Sequence, residues 1–152
     1  MTPMIAAVRE RLEILHRDLD QALEGLSVEA LDWSPGEGMN SIAVLAAHVA
    51  GSERFWIGEL AGGDPAGRVR EAEFQTRGVD EAHLRALLAR SLEHTLGVLD
   101  RLDEQDFGAL RYNPFWEREV SVAVCLAHAL EHTGTHLGHM QATRDLWERR
   151  GS

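Results

Sequence analysis

The sequence predicts an all-α protein, a four-helix bundle with long crossover connections, and three observations predict it. Four long segments carry apolar residues at spacings of three and four, as helices that bury one face do. The segments are separated by connections rich in Gly, Pro and polar residues, two of them long. No stretch of note alternates apolar and polar residues as a half-buried strand does.

In the first segment Met4, Val8, Leu12, Leu15, Leu19, Ala22 and Leu26 trace one apolar stripe, which Gly25 and Ser27 help to end. Ser27 can cap a short turn reaching Trp33, and Pro35, Gly36 and Gly38 form the loop after it. The second helix opens near Asn40 or Ser41, either of which can cap it. Val44, Leu45, His48, Ser52, Phe55 and Trp56 share one of its faces, and Gly62, Gly63 and Pro65 stop it. A polar connection runs on to about Val79, a length that suits a crossover better than a tight turn. The third helix opens at Asp80 and buries Leu84, Leu87, Leu88, Ser91, Thr95, Val98 and Leu102. Asp106 to Glu119 is a second long connection, irregular or partly extended, containing Asn113-Pro114, Phe115 and Trp116. The fourth helix runs from about Ser121 to Arg149.

A length of 152 residues suits a single domain spanning 1–152. No apolar run approaches the ~18–20 residues that span a bilayer. The N-terminal segment lacks a basic region before its apolar residues and does not read as a signal peptide, so the expected location is cytoplasmic. Twenty-five acidic against fifteen basic residues give a formal charge of −10, which argues against nucleic acid and anionic membrane surfaces as partners. All the basic residues are Arg, so Schiff-base chemistry on a lysine is excluded. The lone Cys125 cannot form an internal disulfide and reads as a small buried hydrophobe.

The chemistry lies in the fourth helix, where one stripe reads Cys125, His128, His132, His136, His139, Thr143, Trp147. At about 100° per residue its four histidines fall within a sector of roughly 80° on the core-facing side. Buried imidazoles need partners for both nitrogens, and a metal ion satisfies one of them on each ring. Histidines three or four apart converge on one ion, whereas His128 and His136 lie ~12 Å apart along the axis. Each neighbouring pair therefore qualifies, and further ligands must come from another helix. His48 is the natural candidate, on the apolar face between Leu45 and Ser52; His16 and His94 compete with it. Taken singly, His16, His83 and His94 read as hydrogen-bonded structural residues.

Two stretches resemble the DinB-like superfamily, which includes YfiT-like proteins and the metal-binding domain of mycothiol-dependent maleylpyruvate isomerase. The first is W-S-P-G-E-G-M-N-S-I-A-V-L-A-A-H-V-A-G-S-E-R-F-W-I-G-E-L, from Trp33 to Leu60. The second is H-A-L-E-H-T-G-T-H-L-G-H, from His128 to His139, which is similar to the superfamily's three histidines at four-residue spacing. The resemblance implies a four-helix bundle, often a homodimer. It implies one divalent metal ion, commonly zinc or nickel, on His48, His132 and His136. His128 and His139 become candidates for proton transfer; the superfamily often has glutamine where this chain has His139.

Three imidazoles leave open coordination positions, as catalytic metal sites do. The resemblance then points to a metal-dependent transferase using a low-molecular-weight thiol and an electrophile, with Arg54, Arg111, Tyr112 and Trp116 as candidates for the site mouth. A metal-dependent hydrolase and a non-catalytic, stress-related metal-binding module are the alternatives. Hydrolysis lacks an obvious carboxylate base, since Glu131 points ~100° away from His132 around the helix. Trp56 and Trp147 read as core or interface residues, Trp33 as a loop anchor, and Arg144, Arg149 and Arg150 as complements to the helix dipole.

Overall fold

The computed structural model of the chain describes residues 1–150. Four long helices form the bundle: α1 (Pro3–Leu23), α3 (Ile42–Glu53), α5 (Glu81–Leu99) and α6 (Val122–Arg149). Two short helices lie in the connections, α2 (Val28–Asp32) and α4 (Arg70–Phe74). The caps follow from local chemistry: the side chains of Ser27, Ser41, Asp80 and Ser121 each accept the backbone N–H three residues on.

Helices α1 and α3 each pack against both α5 and α6, so α1 lies diagonally opposite α3. The connection through α2 crosses that diagonal, and the one from α5 to α6 crosses the other. The segment carrying α4, whose length suggests a crossover, instead joins the neighbours α3 and α5, because α4 and its flanks fold over the side of the bundle. The expected stripes are buried with small shifts. In α1 Ile5 is fully buried while Met4 is exposed, because the stripe drifts by one residue at its first turn.

Two features depart from the expected elements. The α5–α6 connection contains an antiparallel hairpin, β1 (Leu110–Asn113) paired with β2 (Arg118–Ser121). The Asn113 side chain braces its turn by accepting from the N–H groups of Phe115 and Trp116. Strands of four residues are too short to show alternation, which is why that segment reads only as partly extended. Helix α3 also does not continue as an α-helix to Gly62: Arg54–Ala61 is π-helical, with Gly62 N–H donating to Ile57 O at 2.9 Å.

The core has two apolar halves, one around Leu19, Leu23, Ile42, Leu84 and Met140, the other around Ile5, Leu12, Phe55, Ile57 and Leu126. A polar layer separates them. Glu53, 1% exposed, accepts from His16 at 2.8 Å, Ser91 at 3.0 Å and Thr133 at 2.9 Å. Each partner sits on a different helix, so one carboxylate ties α1, α5 and α6 to α3. His16 is thereby a structural residue. Among the described residues no helix is long and apolar enough to cross a membrane.

Candidate metal centre

His48 lies two turns into α3 and is buried. Its Nδ1 is 2.9 Å from Oε1 of Glu73, which α4 brings over the bundle. Arg68 grips the same carboxylate with two hydrogen bonds, Nε to Oε2 at 2.7 Å and Nη2 to Oε1 at 2.8 Å. Burial alone would push Glu73 up, but the hydrogen bonds from Arg68 and then His48 outweigh it and hold the carboxyl below its ordinary value. Glu73 is therefore an ionised acceptor, and a proton on His48 Nδ1 donated to it turns Nε2 into the ring's lone-pair side.

That lone pair points at the α6 histidines. Nε2 of His132 is 3.0 Å from Nε2 of His48 and 3.2 Å from Nε2 of His136. One ligand atom from each ring lies within 4.8 Å of the others. Burial, reinforced by His136 and the other nearby imidazoles, lowers His132 to about 3. Burial with His48 and His139 lowers His136 to about 4. Both rings are thus neutral near pH 7 and offer nitrogen lone pairs.

The donor set fits a divalent ion. Neutral imidazoles cannot give both close contacts a hydrogen bond of their own: a proton on His132 Nε2 is shared between two acceptors, and one on His136 Nε2 leaves His132 and His48 lone pair to lone pair. A cation among the three Nε2 atoms takes up all three lone pairs, and the Glu73–His48 contact is the carboxylate–histidine arrangement that orients such ligands.

The residue-level likeness extends to the family scale: the sequence pattern of the DinB superfamily matches residues 11–140. The chain belongs to the DinB superfamily. A comparison with curated proteins finds no significant match. Among solved structures, a conserved protein from Enterococcus faecalis superposes with a TM-score of 0.76 at 19% identity, covering 97% of this chain and 99% of its own. YfiT from Bacillus subtilis, described as a probable metal-dependent hydrolase with an unusual four-helix bundle topology, superposes with a TM-score of 0.77 at 18% identity. That match covers 94% of this chain and 87% of YfiT. Both show the DinB-like bundle fold.

In this member of the DinB superfamily the histidine cluster borders a cavity of about 340 Å³. His128, Trp56 and Trp116 form one wall, with His128 4.1 Å from Trp56 and 5.0 Å from Trp116 between ring centroids. Trp56 is a core residue as its stripe requires, yet it also faces this cavity. Burial lowers His128, leaving it neutral and able to accept a proton. His139 is placed differently: it is exposed, lines a separate cavity with Met39 and Leu146, and touches the cluster only through His136 at 5.6 Å.

Of the expected mouth residues, only Trp116 lines the metal-side cavity. Arg54 faces another cavity, and Arg111 and Tyr112 ride on β1, where Tyr112 is 61% exposed. Neither Arg111 nor Tyr112 lines the metal-side cavity. Arg68 and Arg70 occupy the cavity instead. Glu73 and Arg68 were not legible as site residues, because they lie in a connection without periodicity; the only trace is a glutamate five residues after an arginine. His83 is exposed and bonds Asp80, and His94 lies outside the cluster. Cys125 is fully buried in the core, and burial pushes its thiol up to about 11.

Proposed function

We propose that the chain is a divalent-metal-dependent transferase acting on a low-molecular-weight thiol, with His48, His132 and His136 holding one ion, zinc or nickel. The observation that carries the reading is the set of three converging Nε2 atoms beside a cavity whose lining includes aromatic rings and no carboxylate. An ion held there supplies Lewis acidity that acidifies a thiol or water placed next to it. A free thiol, with a pKa of roughly 8.5, needs far less help to ionise than water at roughly 15.7. The scarcity of bases therefore suits sulfur better than water. Glu73 is no substitute, because Arg68 and His48 occupy its oxygens.

The chain's own groups have separate tasks in this reading. His128 accepts the proton released from the incoming thiol. Trp56, Trp116 and Phe115 form an apolar wall that excludes water from the attacked centre. Arg70, exposed at the cavity lining, can meet an acidic group on the thiol or on the electrophile.

Hydrolysis is the second reading, supported by the likeness to YfiT. A panel of thiols against a model electrophile, with and without chelator, tests the first. Chelator-sensitive turnover is expected, and metal-independent or absent turnover across the panel contradicts it. Titrating thiols into cobalt-substituted protein separates the two: sulfur ligation changes the d–d spectrum, and an unchanged spectrum favours water.

A further inference from the structure

The cavity beside the histidines has two unlike sides. On the His48 side the Phe74 ring stands 5.0 Å from the imidazole, and the Arg70 guanidinium stands 4.8 Å from that ring. No more than two ring spacings therefore separate this charge from the cluster. On the other side His128 stands 5.6 Å from His132 and packs on Trp56 at 4.1 Å and Trp116 at 5.0 Å. That wall offers rings and one imidazole; Arg118 covers Trp116 at 4.9 Å but does not line the cavity.

Arg70 is the unspent cation of the lining. Arg68 is committed to Glu73 by two hydrogen bonds. Arg70 is exposed, so its guanidinium is open to a ligand, and it forms no ion pair among the described residues. No carboxylate lines the cavity. The chain as a whole carries a formal charge of −10 and repels anions, so a free cation over a carboxylate-free lining reverses the field locally.

A thiol whose sulfur sits at the cluster is tethered there, and the rest of a small molecule stays within a few bonds of it. Arg70 is the free charge within that reach. The electrophile is left the aromatic wall, where an apolar body packs. We propose that the thiol cosubstrate is anionic: a small thiol bearing a carboxylate or sulfonate on a short arm, its sulfur beside His48, His132 and His136 and its acidic group on Arg70. This rests on the thiol reading of the metal centre and adds the charge of the cosubstrate and the residue that selects it. Arg70 is a specificity-determining residue and has no part in holding the ion. Its planar fork matches a carboxylate or sulfonate, a neutral arm leaves it solvated, and a cationic arm is repelled.

Titrating cobalt-substituted protein with 2-mercaptoethanesulfonate, 2-mercaptoethanol and cysteamine tests this through the d–d spectrum. The three thiols share one arm length and differ in the charge at its end, and a sulfonate is itself a poor metal ligand. Because their thiols differ in intrinsic acidity, the quantity read is each affinity ratio in the wild type against the same ratio in Arg70 variants. The sulfonate-to-alcohol ratio should fall by about fivefold in Arg70→Met, with part of the preference kept in Arg70→Lys. Arg70→Glu should turn the order around, so that cysteamine gains on the sulfonate. In the wild type the sulfonate preference should shrink as salt rises. Ratios that are the same in wild type, Arg70→Met and Arg70→Glu would overturn the inference and leave the thiol reading standing. No spectral response to any of the three thiols would overturn both. Should a variant fail to load cobalt, the salt dependence of the wild-type ratio decides, and a ratio unmoved by salt overturns the inference.

Discussion

Nδ1 of His48 stands 2.9 Å from Oε1 of Glu73, and through that contact a short helix outside the bundle sets the direction of a lone pair inside it. Arg68 holds Glu73 in place, so the chain Arg68–Glu73–His48 is as much part of the centre as the three imidazoles. Orienting partners of this kind are worth about 10–100-fold in metal affinity. Glu73→Gln should weaken zinc binding within that range while leaving the helical spectrum intact, measured by competition with a chromophoric chelator. Unchanged affinity would mean that the contact orients nothing.

The same contact can be attacked from behind. Gly51 lies one turn after His48, and a Cβ there would collide with the Glu73 carboxylate. Gly51→Ala should displace Glu73 and reduce zinc affinity by about tenfold or more, though no ligand is touched. Alanine otherwise favours the helix, so stability should hold. A variant that binds zinc like the wild type would show that Glu73 relocates freely.

The polar layer predicts a stability effect at a distance from the cavity. Glu53→Ala removes the acceptor shared by His16, Ser91 and Thr133 and leaves three buried donors stranded. Breaking such a buried network by removing one partner costs about 3–5 kcal/mol. Urea denaturation of the metal-free protein measures it, and a loss under about 1 kcal/mol would contradict the role assigned to the layer. Glu53→Gln, which keeps one acceptor oxygen, should lose less.

Cys125 supplies a pH prediction. Its thiol is pushed up to about 11 by burial in the folded chain, against 9.0 ordinarily. Below pH 9 both folded and unfolded thiols are protonated and stability is unaffected. Between about pH 9 and 11 the unfolded chain ionises first, so stability falls as pH rises, by roughly 3 kcal/mol at most. Cys125→Val should flatten that decline, read from urea midpoints across the range. The native thiol should also resist a disulfide reagent at pH 8, and rapid labelling would contradict its burial.

Where the sequence is periodic, the fold was legible in it. The stripes of α1, α5 and α6 and the caps at Ser27, Ser41, Asp80 and Ser121 depend on residues three or four apart, and neighbours along a chain reveal such spacing. The clustering of His48 with the α6 pair came from the family resemblance, since spacing alone left three pairs open. Glu73 and Arg68 were hidden because their placement depends on how a connection folds over the bundle. The π-helical turn at Arg54–Ala61 has no sequence period of its own. Glu53 carries no signal of its own in the sequence, and only the convergence of three other helices shows it as the hub of the core.

The central claim is that His48, His132 and His136 share one divalent ion. Elemental analysis of untagged protein, incubated with zinc or nickel and then desalted, tests it most directly. The account predicts close to one ion per chain in the wild type and in His139→Ala, and almost none in His48→Ala or His132→Ala. Wild-type protein without bound metal, or a His132→Ala variant that keeps its full complement, would contradict it.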